Sequence, residues 1–243
     1  MHQKINSSTK NEKITKKLSR IGIGSRRMLE KWIQDGRVSI NGEVVFNPAI
    51  RVDENAKIKF DGVKVPDKEA SRLWKFYKPK GSLSSNKDLK GRNLIFDFLP
   101  KNLPRVISVG RLDYNTEGLI LLTNDGELAR KLEMPSSGFS RSYRVRVHGK
   151  VEKSKLDILK HGIKINKINY KSINACLERQ NKTNAWVNIS LKEGKNREIR
   201  KVMEFFGLEV SRLIRVEFGP FKIGKLKEKE IQEIERPSFS NLL

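Results

Sequence analysis

From Val106 to Leu132 the chain reads VISVGRLDYNTEGLILLTNDGELARKL, and this stretch leaves few choices of structure. Two apolar runs, Val106 to Val109 and Leu119 to Thr123, have the length and composition of buried strands. A turn rich in Gly, Asp and Asn separates them and presents Arg111 and Asp113 together. Loops held between strands are good positions for catalytic groups. On spacing alone, however, an Asp in a turn is most often a hydrogen-bond acceptor within that turn.

The surrounding sequence extends this pattern. Tyr143 to Val147 and Trp186 to Leu191 read as further strands, with helical stretches around Leu128 and Val202, so the larger part of the chain is expected to be an α+β domain. In SYRVRV, alternation puts Tyr143, Val145 and Val147 on one face, which makes core packing a sufficient reason for the tyrosine. Around Val202, the residues Ile199, Val202, Met203 and Phe206 form one apolar stripe with Arg200 at its margin. Arg197 and Lys201 fall on the far side, as phosphate contacts or as a solvated face.

A smaller unit precedes this domain. Ile14, Leu18 and Ile21 are spaced as a helix ending at Gly22, and Met28, Leu29, Trp32 and Ile33 form a second helix ending near Gly36. Ser25 stands at the cap position of the second helix, while Arg26 and Arg27 in its first turn oppose the helix dipole and point to an anion there. Asn41-Gly42 is the dipeptide a type I′ turn requires, so a hairpin with Arg37 beside it follows, and Ile58 and Phe60 add a strand. The expected boundaries are a basic arm at 1–13, this small domain at 14–62, a linker at 63–72, the larger domain at 73–236 and a tail at 237–243.

Charge restricts the partners. The 51 Lys+Arg against 28 Asp+Glu give a net charge of +23, which points to a polyanion and first to nucleic acid. No apolar run approaches the roughly 20 residues of a membrane-spanning helix. The opening MHQKINSSTKNEK lacks the apolar core of a signal peptide, so export is not expected. Cys176 is the single cysteine, and His2, His148 and His161 do not combine with it at zinc-ligand spacing, which fits a reducing cytoplasm and no structural metal.

Two resemblances sharpen these readings. LSRIGIGSRRMLEKWIQDGRVSINGEVV resembles the small RNA-binding module named for ribosomal protein S four, the alpha-L motif. GRLDYNTEGLILLTNDGEL resembles the catalytic motif of pseudouridine synthases, in the branch that carries this module and acts on ribosomal RNA. KFYKPKG (Lys75 to Gly81), SRSYRVRVHG (Ser140 to Gly149) and LKEGKNREIRKVMEFFG (Leu191 to Gly207) are similar to its other motifs. The resemblance implies a mixed, mainly antiparallel catalytic sheet with flanking helices. It makes Asp113 the essential carboxylate, Tyr143 the residue stacked on the target base and Arg200 the ion-pair partner of Asp113. Arg111 would support the displaced RNA strand, and Arg26, Arg27, Arg37, Lys78, Arg197 and Lys201 would contact RNA. Ser142 and Lys201 depart from the residues usual at their positions.

The implied reaction isomerises a uridine of ribosomal RNA, in large-subunit RNA by the likeness of SRSYRVRVHG, with no cofactor and with a monomer acting on free RNA or an assembly intermediate. The chemistry agrees: a glycosidic bond must break and carbon five must attach to the same sugar carbon, work suited to a poised carboxylate. Alternatives are the same reaction on small-subunit RNA, or a non-catalytic ribosome-assembly factor. A glycoside hydrolase would need a second carboxylate in a convincing motif, and none is found.

Overall fold

The computed structural model describes residues 11–242, which fall into two units, residues up to Ser71 with Pro104–Val106, and Arg72–Leu103 with Ile107 onward. Most of the basic arm expected at 1–13 lies outside the described residues.

In the first unit, α1 (Ile14–Ile21) and α2 (Arg26–Gln34) precede a sheet of β1 (Val38–Ile40), β2 (Glu43–Val45), β3 (Ile58–Phe60) and β4 (Val63–Lys64). Ser25 caps α2 as its sequence position demands, its side chain accepting from Met28 N at 3.3 Å. Asn41 and Gly42 both take positive φ, 52° and 99°, and Ile40 pairs with Glu43 across a two-residue loop. Only that backbone twist suits a tight hairpin. Ile14, Leu18, Leu29, Ile33, Val38 and Ile58 close a common core, each contributing about 1.5–3 kcal/mol by burial.

The linker expected at 63–72 begins later than its composition suggests. Val63 pairs with Phe60 in the sheet, and Val65 is buried in the core of the first unit. The valine spacing outweighs the turn-forming residues that follow.

The second unit is built on one nine-stranded mixed sheet. Its strands are β5 (Leu73–Lys78), β6 (Ile107–Val109), β7 (Glu117–Thr123), β8 (Arg141–His148), β9 (Ile173–Gln180), β10 (Asn184–Leu191), β11 (Glu209–Phe218) and β12 (Ile231–Ile234), with the short Phe221–Lys222 pairing β11. The order is β9-β10-β8-β11-β7-β5-β12, with β6 on β7. Helices α3 (Gly126–Glu133) and α4 (Glu198–Phe205) pack against it. The α+β expectation holds, and the sheet is mainly antiparallel as the resemblance implies.

One pairing is parallel: Glu117 and Gly118 of β7 meet Ile214 and Arg215 of β11. All seven residues of β7 are buried, so both faces of this central strand are covered. Gly118 has φ +101°, and a Cβ there would lie 2.4 Å from the Arg215 carbonyl oxygen. The glycine is what lets the two backbones meet.

Two apolar cores result, one around Val145, Val187, Val202 and Leu213 with α4, the other around Leu73, Leu119, Leu121 and Leu128 with α3. Phe239 is 1% exposed in the second core and Leu242 packs against it, so residues expected as a tail are part of the domain. No helix among the described residues is long and apolar enough to cross a membrane.

Candidate active site

The segment Gly110–Thr116 joins β6 to β7, and its backbone is fastened at nearly every residue. Gly110 N donates to Glu133 Oε1 of α3 at 2.6 Å. Leu112 N donates to Ser84 Oγ, and the same hydroxyl donates to Leu112 O, both at 3.2 Å. Gly81 N reaches Tyr114 O at 2.8 Å, and Thr116 N closes the turn on Asp113 O at 3.0 Å. Arg200 Nη2 donates to Asn115 O and Lys78 Nζ to Thr116 O, each at 2.8 Å. A turn held in this way presents a side chain with little freedom.

That side chain is Asp113. It is half-buried, and no hydrogen bond or ion pair among the described residues occupies its carboxylate. It lines a cavity of about 550 Å³ together with Arg111, Tyr143, Arg197, Glu198 and Arg215. The structure therefore brings Asp113, Tyr143, Arg111 and Arg197 together. A more apolar cavity of about 700 Å³ also touches Tyr143 but does not include Asp113.

Arg200 takes a different part from the one expected. It makes no direct ion pair with Asp113; its guanidinium donates to the backbone oxygens of Asn115 and Val210, at 2.8 and 2.9 Å, and Nε is buried with no hydrogen-bond partner among the described residues. Burial, foremost, and the like charge of Arg197 lower its pKa, while the charge of Asp113 raises it. Arg200 thus holds the turn two residues beyond Asp113 and lends positive potential without contact.

Lys78 is also reassigned. Expected on RNA, it is 0% exposed, with Nζ donating to the oxygens of Pro79 at 3.1 Å and Thr116 at 2.8 Å. Alternation in LWKFYK gives the reason: Lys78 follows the buried Trp74 and Phe76 on one face. Burial pushes its pKa down to about 8 from 10.5, against the raising effect of Asp113 and Glu117.

The unfolded chain then binds the extra proton between those two pH values, so this group makes stability rise with pH through that window. A displacement of this size corresponds to about 3 kcal/mol. Chemical unfolding of wild type and Lys78→Met should show the wild type gaining up to about 3 kcal/mol relative to the variant between about pH 8 and 10.5. Parallel pH curves would show that burial does not depress the pKa of Lys78.

The other expected RNA contacts separate. Arg111 and Arg197 are exposed at the cavity, Arg197 with φ +51° at the start of α4. Lys201 instead lines a separate pocket with Ile165, Tyr170 and Phe205. In the first unit, Arg26 and Arg27 are exposed on α2. Arg37 is engaged by Asp61, with its Nε donating at 2.8 Å, and its guanidinium lies against Trp32 and Phe60 at 5.0 and 4.7 Å.

Two residues of the cavity, Arg215 and Glu198, were missed from the sequence. Arg215 is the cross-strand neighbour of Tyr143, and burial lowers its pKa while Tyr143 raises it. Its signal was available: Arg215 sits two residues after the inward Leu213, an arginine on the buried face of a strand.

No group of three or more His, Cys, Asp or Glu among the described residues is placed to hold a metal ion. The arrangement offers a free carboxylate, an aromatic face and several cations around one cavity open to solvent, which suits acid–base or nucleophilic work on a polyanion.

Residues 72–205 match the RNA pseudouridylate synthase family, and residues 14–58 match the S4 domain. The chain belongs to the RNA pseudouridine synthase family. It is accordingly an isomerase acting on RNA, with an RNA-binding S4 domain ahead of its catalytic domain. An uncharacterized RNA pseudouridine synthase of Rickettsia bellii is 45% identical over 226 residues, 92% of this chain and 96% of that protein. Ribosomal large subunit pseudouridine synthase B of Salmonella typhi is 42% identical over 222 residues, covering 88% of this chain and 76% of that one. The counterpart in Yersinia pestis is 40% identical over 220 residues, covering 88% and 69%. Among solved structures, a crystal structure of pseudouridylate synthase superposes with a TM-score of 0.65 at 26% identity, covering 95% of this chain and 99% of that one.

Proposed function

We propose that this isomerase converts a specific uridine of large-subunit ribosomal RNA to pseudouridine, with Asp113 as its catalytic carboxylate. The observation that carries the catalytic assignment is the carboxylate of Asp113, unoccupied among the described residues, on a turn fastened at nearly every residue and in one cavity with Tyr143. The likeness to synthases named for the large ribosomal subunit, at 40% and 42% identity, supports the choice of RNA.

In this reading the target uridine leaves its stack and lies against the ring of Tyr143, which replaces the lost stacking. Asp113 acts at the sugar while the bond from C1′ to N1 breaks. The base then turns, C5 bonds to C1′, the C5 proton departs and N1 takes a proton. Arg200 and Lys78 are positioning residues that hold the turn, and Arg111 and Arg197 meet the RNA backbone around the cavity. The enzyme works as a monomer in the cytoplasm, on ribosomal RNA or a ribosome-assembly intermediate, as a step of ribosome biogenesis.

The test is direct. The purified protein is given each unmodified ribosomal RNA separately, and pseudouridine is mapped by chemical adduct stops. Product in large-subunit RNA is expected; product confined to small-subunit RNA would overturn the choice of substrate.

Arg26 and Arg27 serve the same RNA as phosphate contacts of the S4 domain. Each neutralised phosphate adds about 0.7–0.9 to the slope of log affinity against log salt, so Arg26→Ser with Arg27→Ser should flatten that slope by roughly 1.5. An unchanged slope would remove these two residues from the interface.

A further inference from the structure

Lys201, set apart from the Asp113 cavity, belongs to a groove between α4 and the hairpin formed by Ile163–Ile165 and Ile168–Tyr170. Ile165 and Tyr170, both buried, form the floor of this groove, and its volume is about 480 Å³. Two of its lining residues are exposed apolar side chains, Phe205 at 55% and Ile168 at 39%. Phe205 lies off the stripe of Ile199, Val202 and Met203 that α4 buries, and it stands one turn after Lys201, so the two share one face of the helix. Single exposed apolar residues are ordinary, but a phenylalanine and an isoleucine lining one groove beside a lysine suit a flat ring with negative charge at its edge.

The surroundings favour RNA. The hairpin, IKINKINYK from Ile163 to Lys171, carries Lys164, Lys167 and Lys171, all exposed, and no acidic residue. Glu204 is the one acidic residue among the described residues that line the groove. Lys195 links the groove to the Asp113 cavity: it lines that cavity, while its Nζ donates to Asn169 O of the hairpin and lies 5.6 Å from the ring centre of Tyr170 on the groove floor. Along α4, Phe205 stands about 12 Å beyond Arg197 at the cavity. A stacked strand covers that distance in about 3–4 nucleotides. Two exposed apolar side chains fall far short of the roughly 1,000 Å² that a stable protein interface needs.

We propose that the groove holds an unpaired base of the RNA strand leaving the Asp113 cavity, its face against Phe205 and its edge over Ile168, while Lys201 and the hairpin lysines meet the neighbouring phosphates. The proposal rests on RNA entering the Asp113 cavity. An aromatic platform beside a basic track binds single-stranded RNA whatever its sequence, since every base has a face to stack. The groove therefore adds affinity and sets how far from the target uridine the strand must be unpaired.

The experiment uses full-length protein and a short single-stranded oligouridine carrying 5-iodouridine, which light couples to aromatic side chains in contact with it. Adducts are mapped by mass spectrometry. One on Phe205 is expected, and this arm needs no variant. Affinity is then measured for oligouridine and for an abasic strand of the same length, which keeps the phosphates and has no bases. Phe205→Ser should weaken oligouridine by about tenfold and leave the abasic strand within about twofold. Phe205→Trp, with its larger face, should bind oligouridine at least as tightly as the wild type, a result that misfolding cannot produce. Lys201→Met should weaken both strands and flatten the salt slope by about 0.7.

Absence of an adduct on Phe205 would overturn the proposal, as would equal losses for the two strands in Phe205→Ser; a groove that docks a protein gives both results. Persistent turnover by Asp113→Asn would remove the cavity from the chemistry, and with it the path on which this base is placed. The Phe205 adduct, read without turnover, tells that failure apart from failure of the groove itself.

Discussion

Asp113→Asn is expected to abolish pseudouridine formation, lowering the single-turnover rate by about 10,000-fold or more, while RNA affinity stays within about twofold. The expected split between rate and affinity follows from the site. Asparagine matches the shape of aspartate, and the turn is fastened through its backbone atoms rather than through the carboxylate. Neither the fold nor the turn therefore depends on the charge. Binding rests on many phosphate contacts distributed over a chain of net charge +23, to which one carboxylate contributes little. The chemistry, in contrast, needs an ionised oxygen at the sugar, and the amide cannot supply it. Release of tritium from C5 of labelled uridine in RNA measures the rate, and filter binding measures affinity. Turnover at an appreciable fraction of the wild-type rate would end the assignment of Asp113.

Arg200→Met is expected to reduce the single-turnover rate by about 100- to 1,000-fold, whereas Arg197→Met loses less than about tenfold. Both are arginines of one short motif beside one cavity, so charge alone does not separate them. Contact does: Arg200 bridges the backbone oxygens of Asn115 and Val210, and Arg197 is exposed. Methionine would leave those two carbonyls short of a donor and free the turn that carries Asp113, and a displacement of about 1 Å suffices for a loss of this order. Arg200→Lys, which can reach one carbonyl but not both in a fixed fork, should fall between. Rates are compared well below the melting temperature of each variant, so that a loss of stability does not count as a loss of catalysis. Equal, small losses for Arg197→Met and Arg200→Met would refute the bridging role.

What the sequence made legible was local. Ser25 as a cap and Asn41-Gly42 as a turn depend on neighbours a few residues away, and the structure places them as their chemistry requires. The helical stripe of Ile199, Val202 and Met203 is buried as spacing predicts. The Asp113 turn was visible for the same reason. Its fastenings were not, because Glu133 and Arg200 lie 23 and 85 residues from the atoms they hold, and no periodicity encodes such partners.

Other features could be read only after a preference was resisted. The resemblance implies an RNA contact for Lys78, whereas its alternation with Trp74 and Phe76 points inward, a rare place for a lysine. The same rarity hides Arg215. Weak periodicity and the turn-forming Pro and Asp nearby hide the pairing of Val63 and the burial of Val65, and nothing in the sequence around Phe239 announces its place in the core. In each case a single apolar or charged residue was weighed by its type, where the deciding fact was which face of the sheet it occupies.

The fastening of Gly110–Thr116 has a consequence for how activity is acquired during synthesis. The atoms that hold the turn come from chain positions as far apart as Lys78 and Arg200. An emerging chain that has passed Asp113 has its carboxylate but not the bridge from Arg200, and it gains that bridge only after β8, β9, β10 and α4 have been made. The bridge to Asn115 O therefore cannot form until α4, in the last third of the chain, has been made. A nascent chain carries an RNA-binding S4 domain long before it carries a working isomerase.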